Sequence, residues 1–74
     1  MLTDNLIMLR NVRGLTQEQV AEIVGVTRQS YAKWEQGDSV PDIEKCDKLA
    51  KFYGIKIDAL MHYDEKVGNT KVTP

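Results

Sequence analysis

The sequence predicts an all-α domain of five short helices joined by tight turns. Three observations carry that expectation. Glycines fall at 14, 25, 37 and 54, and punctuate segments of about ten residues whose apolar positions recur at helical spacing. No stretch before residue 67 alternates apolar and polar residues as a half-buried strand would. Residues suited to start helices, Thr16, Thr27 and Asp42, stand just ahead of the periodic segments.

The first helix carries Leu2, Leu6 and Leu9 on one face and stops at Gly14. The second opens on Thr16-Gln17-Glu18-Gln19, where Thr at the N-cap and Gln three residues on form a capping box. Val20, Ala21 and Val24 form its apolar stripe. Gly25 ends it, because glycine accepts the left-handed conformation that a C-cap needs. The third helix follows Thr27, with Tyr31 and Trp34 on one face and Arg28, Gln29, Ala32 and Lys33 on others, and closes at Gly37. The fourth begins near Asp42, after Pro41, with Ile43, Cys46, Leu49, Ala50 and Tyr53 expected inward, and ends at Gly54. A last short turn runs from Ile57 to Leu60 or Met61. The expected division is a domain over residues 1–63 and a C-terminal tail over 64–74. Gly68-Asn69 is read as part of that tail rather than as the turn of a hairpin.

Composition excludes several classes. With 74 residues the chain makes one domain with a small core, for which oligomerisation is a natural supplement. One cysteine makes no internal disulfide. No apolar run approaches the ~18 residues that span a membrane. The start Met1-Leu2-Thr3-Asp4-Asn5 lacks a basic region and an apolar stretch, so it does not read as a secretion signal. The expectation is a cytoplasmic protein with no membrane partner. Ten Lys+Arg stand against eleven Asp+Glu, a net charge of −1. Charges balance up to Gly37, and the remainder is negative by one, so any cationic surface must be local. Cys46 lies on the apolar face of helix four and is read as core. His62 has no partners at ligand spacing, so neither a metal site nor a nucleophile–base pair is expected. The glycines, a whole helix apart, form no phosphate-cradling loop. The chain is therefore expected not to be an enzyme and to need no cofactor.

Segments two and three carry the most information. The connection Gly25-Val26-Thr27 is so short that the second helix must cross the first steeply. Ala21 supplies the small residue where the backbones approach, and Val20, Val24, Val26, Tyr31 and Trp34 supply a compact inner side. This is the pattern of a helix-turn-helix, whose second helix enters the DNA major groove.

The stretch TQEQVAEIVGVTRQSYAKWEQG, residues 16–37, resembles the helix-turn-helix of the xenobiotic-response-element family, the Cro and phage-repressor type. The likeness continues through Leu9-Arg10 and Gly14-Leu15-Thr16-Gln17 on one side. On the other it takes in Pro41, Leu49-Ala50-Lys51, Gly54-Ile55 and Asp58-Ala59-Leu60, covering about residues 5–61. The resemblance implies a five-helix, lambda-repressor-like domain that binds double-stranded operator DNA as a two-fold homodimer and regulates transcription. It also implies that Arg10 and Glu35 form a structural ion pair joining helices one and three.

Physical roles can be set beside it. Gln17 stands at the N-terminus of helix two, where free N–H groups and the helix dipole favour a phosphate, and its amide can donate to the same oxygen. Arg28 suits guanine O6 and N7, and Gln29 suits adenine N6 and N7. Thr27 and Ala32 offer methyl contacts to thymine, Lys33 reaches a base or a phosphate, and Ser30 serves the backbone or a phosphate.

The sequence departs from the family's pattern in places. The loop after helix three reads Gly37-Asp38-Ser39-Val40, acidic where phosphate-gripping basic residues are common, and Lys45 is the expected substitute. Lys56 replaces a serine N-cap, so the final helix is expected to fray. Ile7 and Met8 replace charged residues of helix one. A homodimer must leave both copies of helix three facing the same way, which directs the interface to residues 54–63. Ile55, Met61 and Tyr63 are its candidates, while Ile57 and Leu60 serve the monomer core. The alternative to DNA recognition is a protein-interaction adaptor or antitoxin that uses the same fold to hold a protein partner.

Overall fold

The structure, a computed structural model, describes residues 2–61. The tail over 64–74 and the expectations for His62, Tyr63 and Gly68-Asn69 lie outside the described residues. Four helices come first: α1 Leu2–Val12, α2 Gln17–Val24, α3 Arg28–Gln36 and α4 Ile43–Tyr53. A fifth helical segment, α5, begins at 57 and runs to 61, the last described position. Among the described residues there are no strands.

Local chemistry sets the helix ends. Thr16 accepts from the Gln19 N–H at 3.0 Å while the Gln19 side chain accepts from the Thr16 N–H at 2.8 Å, which closes the capping box. Thr27 and Asp42 cap α3 and α4 by accepting from the N–H groups of Ser30 and Lys45. Such caps contribute about 0.5–2 kcal/mol each. Gly25 ends α2 with φ +89° and donates its N–H to the Ala21 carbonyl at 2.8 Å. A side chain at that φ costs about 1–2 kcal/mol, so glycine makes the abrupt reversal into α3 possible.

Periodicity sets the core. Leu6 from α1, Val20, Ala21 and Val24 from α2, Tyr31 and Trp34 from α3, Cys46, Leu49, Ala50 and Tyr53 from α4, and Leu60 from α5 form one buried cluster. α3 packs against both α1 and α2, and α4 packs on α2. The Tyr31 and Trp34 rings meet edge to face at 5.7 Å. Val26, expected in the core, is half-buried at its margin.

Ile43, expected inward, is 75% exposed. It occupies the first helical position after the Asp42 cap, while the buried stripe of α4 starts one turn later, at Cys46. Hydrophobic spacing located the stripe correctly but not where packing along it begins.

Long-range ties fix the outer elements. Arg13 lies over the rings of Phe52 and Tyr53, at 5.5 and 5.4 Å from their centroids, and donates to the Tyr53 carbonyl at 3.1 Å. It thereby binds the end of α1 to the end of α4. Asn5, 2% exposed, donates its side-chain amide to the Leu60 carbonyl and, more weakly, to that of Ala59. This places α5 against α1. The Leu60 N–H bonds back to the Lys56 carbonyl at 3.1 Å, so α5 forms over the described residues without a serine cap.

Candidate nucleic-acid interface

α2, the Gly25 turn and α3 place two features on one side of the molecule. The first is the exposed start of α3. Arg28, Gln29 and Ser30 are exposed, and Lys33 is exposed one turn further on. Ala32 is half-buried between them and the core. Tyr31 and Trp34, on the opposite side of the same helix, are buried and hold it down. Thr27 is occupied as the cap: its Oγ1 accepts from the Ser30 N–H at 3.1 Å, and its hydroxyl donates to the Ser30 Oγ at 3.0 Å. Two of the short polar side chains proposed for contact with DNA are thus partly engaged with each other. Arg28 and Gln29 at the tip have no side-chain partner among the described residues.

The second feature is a cleft at the N-terminus of α2, lined by Arg10, Leu15, Thr16, Gln17, Glu18 and Arg28. The capping box satisfies the third N–H of α2, and the first two, from Gln17 and Glu18, have no intrahelical partner. Free N–H groups at a helix start, with the Arg28 side chain beside them, are suited to an oxyanion.

Under this cleft lies a polar cluster. Glu35, 7% exposed, accepts from Arg10 Nε at 2.7 Å and Nη2 at 3.1 Å. It also accepts from Gln17 Nε2 at 3.0 Å and from the Tyr31 hydroxyl at 2.5 Å. Arg10 Nη1 donates to the Leu15 carbonyl at 3.0 Å. Burial pushes the Glu35 carboxyl up, but hydrogen bonds from Arg10, Tyr31 and Gln17, with the charge of Arg10, outweigh it and hold the group below the usual carboxylate range. The bond to Glu35 raises the Arg10 guanidinium, and burial, then the bond to Glu35, raises the Tyr31 phenol.

Sequence reasoning missed two members of this cluster. Tyr31 reads as a core aromatic by spacing, and Gln17 as a phosphate contact at the start of α2, neither of them as a donor to Glu35. The available signal was the i,i+4 placement of Tyr31 and Glu35 on α3, which puts a phenol and a carboxylate on one helix face. The remaining expected contact, Lys45, is half-buried in the first turn of α4 and pairs with Asp42 at 3.8 Å.

On another side, α1 and α5 leave a small, mainly apolar cleft between Asn5, Met8, Leu9, Ile55 and Ala59. Met8 is 40% exposed, and Ile7, Ile55 and Met61 are half-buried. Met61 Sδ lies 3.9 Å from Cys46 Sγ, and burial raises the Cys46 thiol, with the Asp42 charge adding to it. Tyr63 lies outside the described residues. Among the described residues there is no group of three or more His, Cys, Asp or Glu suited to a metal, and no helix is long and apolar enough to cross a membrane.

A family model described as Helix-turn-helix matches residues 6–60. The chain is 38% identical over 64 residues to the HTH-type transcriptional activator BcrR of Enterococcus faecalis, covering 86% of this chain and 31% of that protein. It is 42% identical over 64 residues to the cryptic phage CTXphi transcriptional repressor RstR of Vibrio cholerae, covering 80% of this chain and 58% of that one. Both relatives are therefore substantially longer than the matched region. A crystal structure of a transcriptional regulator from Listeria innocua superposes with a TM-score of 0.79 at 35% identity, covering 81% of this chain and 56% of that one.

Proposed function

We propose, from the premise that this chain belongs to the Helix-turn-helix family, that it is a sequence-specific transcriptional regulator of double-stranded DNA. In this reading α3 enters the major groove, with Arg28 and Gln29 at base edges and Lys33, Ala32 and the Thr27 methyl beside them. Gln17 and Ser30 face the flanking phosphates, and Lys45 adds a weaker electrostatic contact. The observation that carries the reading is the exposed tip of α3, whose Arg28 and Gln29 have no side-chain partner among the described residues, next to the N-terminal N–H groups of α2. The protein acts by binding rather than by catalysis, in the cytoplasm with its DNA. Relatives named as a transcriptional activator and a transcriptional repressor support this class of role.

A homodimer completes the reading, since one small, near-neutral domain makes few base contacts and adds little electrostatic affinity. Two copies related by a two-fold axis engage half-sites about 34–36 Å apart. The proposed isologous surface is the segment 54–63, in which Ile55 lines the apolar cleft beside α1, Met61 is half-buried in α5, and Tyr63 lies outside the described residues. The net charge of −1 favours one second reading, a protein-interaction adaptor or antitoxin.

The test begins with selection of bound duplexes from a random-sequence pool, followed by fluorescence anisotropy on the selected operator. Arg28→Ala is expected to lose about 1–3 kcal/mol at one operator position and relax discrimination there. Lys45→Ala is expected to weaken all sequences alike. Enrichment of no sequence by the wild type defeats the reading in favour of a protein partner. Uniform loss from both substitutions defeats the base-contact assignment.

A further inference from the structure

The buried cluster around Glu35 joins three helices at one carboxylate. Oε1 accepts from Arg10 Nη2 on α1 and Gln17 Nε2 on α2, and Oε2 accepts from Arg10 Nε and from the Tyr31 hydroxyl on α3. An ionised carboxylate offers about four lone-pair sites, and these four donors fill them. Glu35 is 7% exposed and Tyr31 is fully buried, so the carboxylate is largely shielded from water except on the side of the α2 cleft. Swinging the Gln17 amide away would exchange a charge-assisted hydrogen bond to a mostly buried carboxylate for a less favourable one to cleft water. One hydrogen of its NH₂ group is engaged by Glu35, and the second remains as a donor at the mouth of the α2 cleft.

We infer that Glu35, supported by Tyr31, is a positioning residue for the phosphate contact. It locks the Gln17 side chain in one rotamer at the first turn of α2 and ties that turn to α3, so that the backbone-gripping and base-reading groups form one rigid body. Side-chain order that a free glutamine would lose on binding is already lost on folding. The inference rests on the DNA-binding reading above. It also sets a sign. Charge alone makes Glu35 unfavourable for DNA, because it neutralises Arg10 beside the cleft, so a purely electrostatic Glu35 predicts tighter binding when its charge is removed. A positioning Glu35 predicts weaker binding, and only while Gln17 is present.

The experiment compares wild type, Gln17→Ala, Glu35→Gln and the double variant. Affinity is read by anisotropy on the duplex the wild type selects. The Gln17 side-chain amide is followed in the free proteins by ¹H–¹⁵N NMR. The wild-type amide protons are expected to be dispersed and slow to exchange, and to move toward random-coil positions in Glu35→Gln. Glu35→Gln is expected to weaken binding about three- to tenfold, the worth of one hydrogen bond, and to cause no further weakening in the Gln17→Ala background. Tighter binding by Glu35→Gln overturns the inference. So does an equal factor with and without Gln17, or an unmoved Gln17 amide. If Glu35→Gln does not fold, Glu35→Asp keeps the charge but draws the carboxylate back from Gln17 Nε2 by one methylene. The Gln17 amide must then shift, and an unchanged resonance overturns the inference. A wild type that binds no duplex defeats the DNA reading, while the amide spectrum still reports on the lock.

Discussion

Replacing Arg10 with methionine isolates the Glu35 cluster as a stability element. Methionine keeps most of the aliphatic stem but removes two of the four donors to Glu35, its countercharge, and the bond to the Leu15 carbonyl. The Glu35 side chain is 5% exposed, so the charge left behind is poorly solvated. Breaking one side of a buried pair costs about 3–5 kcal/mol. Arg10 is 17% exposed at an open cleft, which places the expected loss near the lower end, about 3 kcal/mol. That is a large part of the ~4–11 kcal/mol that a chain of this length commands. The pH dependence follows from the direction of the Glu35 shift. In the wild type the group lies below its ordinary value, so its contribution is full above about pH 4.5 and is lost as pH falls through the folded pKa. In Arg10→Met the bond to Arg10 and its charge no longer lower the group, so Glu35 lies higher than in the wild type and the variant is relieved at a higher pH as the carboxyl takes a proton. The gap between the two proteins must therefore narrow on acidification. Urea titrations followed by fluorescence of Trp34, the single tryptophan, at about pH 7 and about pH 4 measure it. Arg10→Met combined with Glu35→Leu should recover much of the loss, since no buried charge remains. A loss below about 1 kcal/mol, a gap of the same size at both pH values, or a double variant no better than the single refutes the reasoning.

Three other perturbations probe separate links. Ile55→Asp places a charge in the cleft between α1 and α5. It is expected to shift a wild-type dimer to monomer in analytical ultracentrifugation, and a wild type that stays monomeric at tens of micromolar, or a variant that dimerises equally well, rejects the surface. Asn5→Ala leaves the Leu60 carbonyl without its buried donor and should cost about 1–3 kcal/mol in urea titration, with amide exchange rising first in α5. Thr27→Ala removes the cap of α3 and should cost about 0.5–2 kcal/mol by thermal or urea unfolding. An unchanged midpoint would show that packing of Tyr31 and Trp34 alone holds the helix start.

Local signals in the sequence determined the elements. A capping box spans three residues, a helical stripe repeats within four, and a glycine acts on its own φ, so Thr16, Thr27, Asp42 and Gly25 mark their boundaries without reference to the rest of the chain. The exposed tip of α3 was legible for the same reason: once Tyr31 and Trp34 define the inner face, Arg28, Gln29 and Lys33 must lie outside it. The pairing of Arg10 with Glu35 came from likeness to a family rather than from spacing. What only the tertiary structure decided are the contacts between residues far apart in the chain: Asn5 with Leu60, Arg13 with Phe52 and Tyr53, and Gln17 and Tyr31 with Arg10 at one carboxylate. Tyr31 looks the same in sequence whether its hydroxyl is satisfied or orphaned, and Ile43 continues its stripe whether or not a neighbour reaches it. Periodicity fixes the direction in which a side chain leaves its own helix, but the groups it meets there depend on how the other helices cross it.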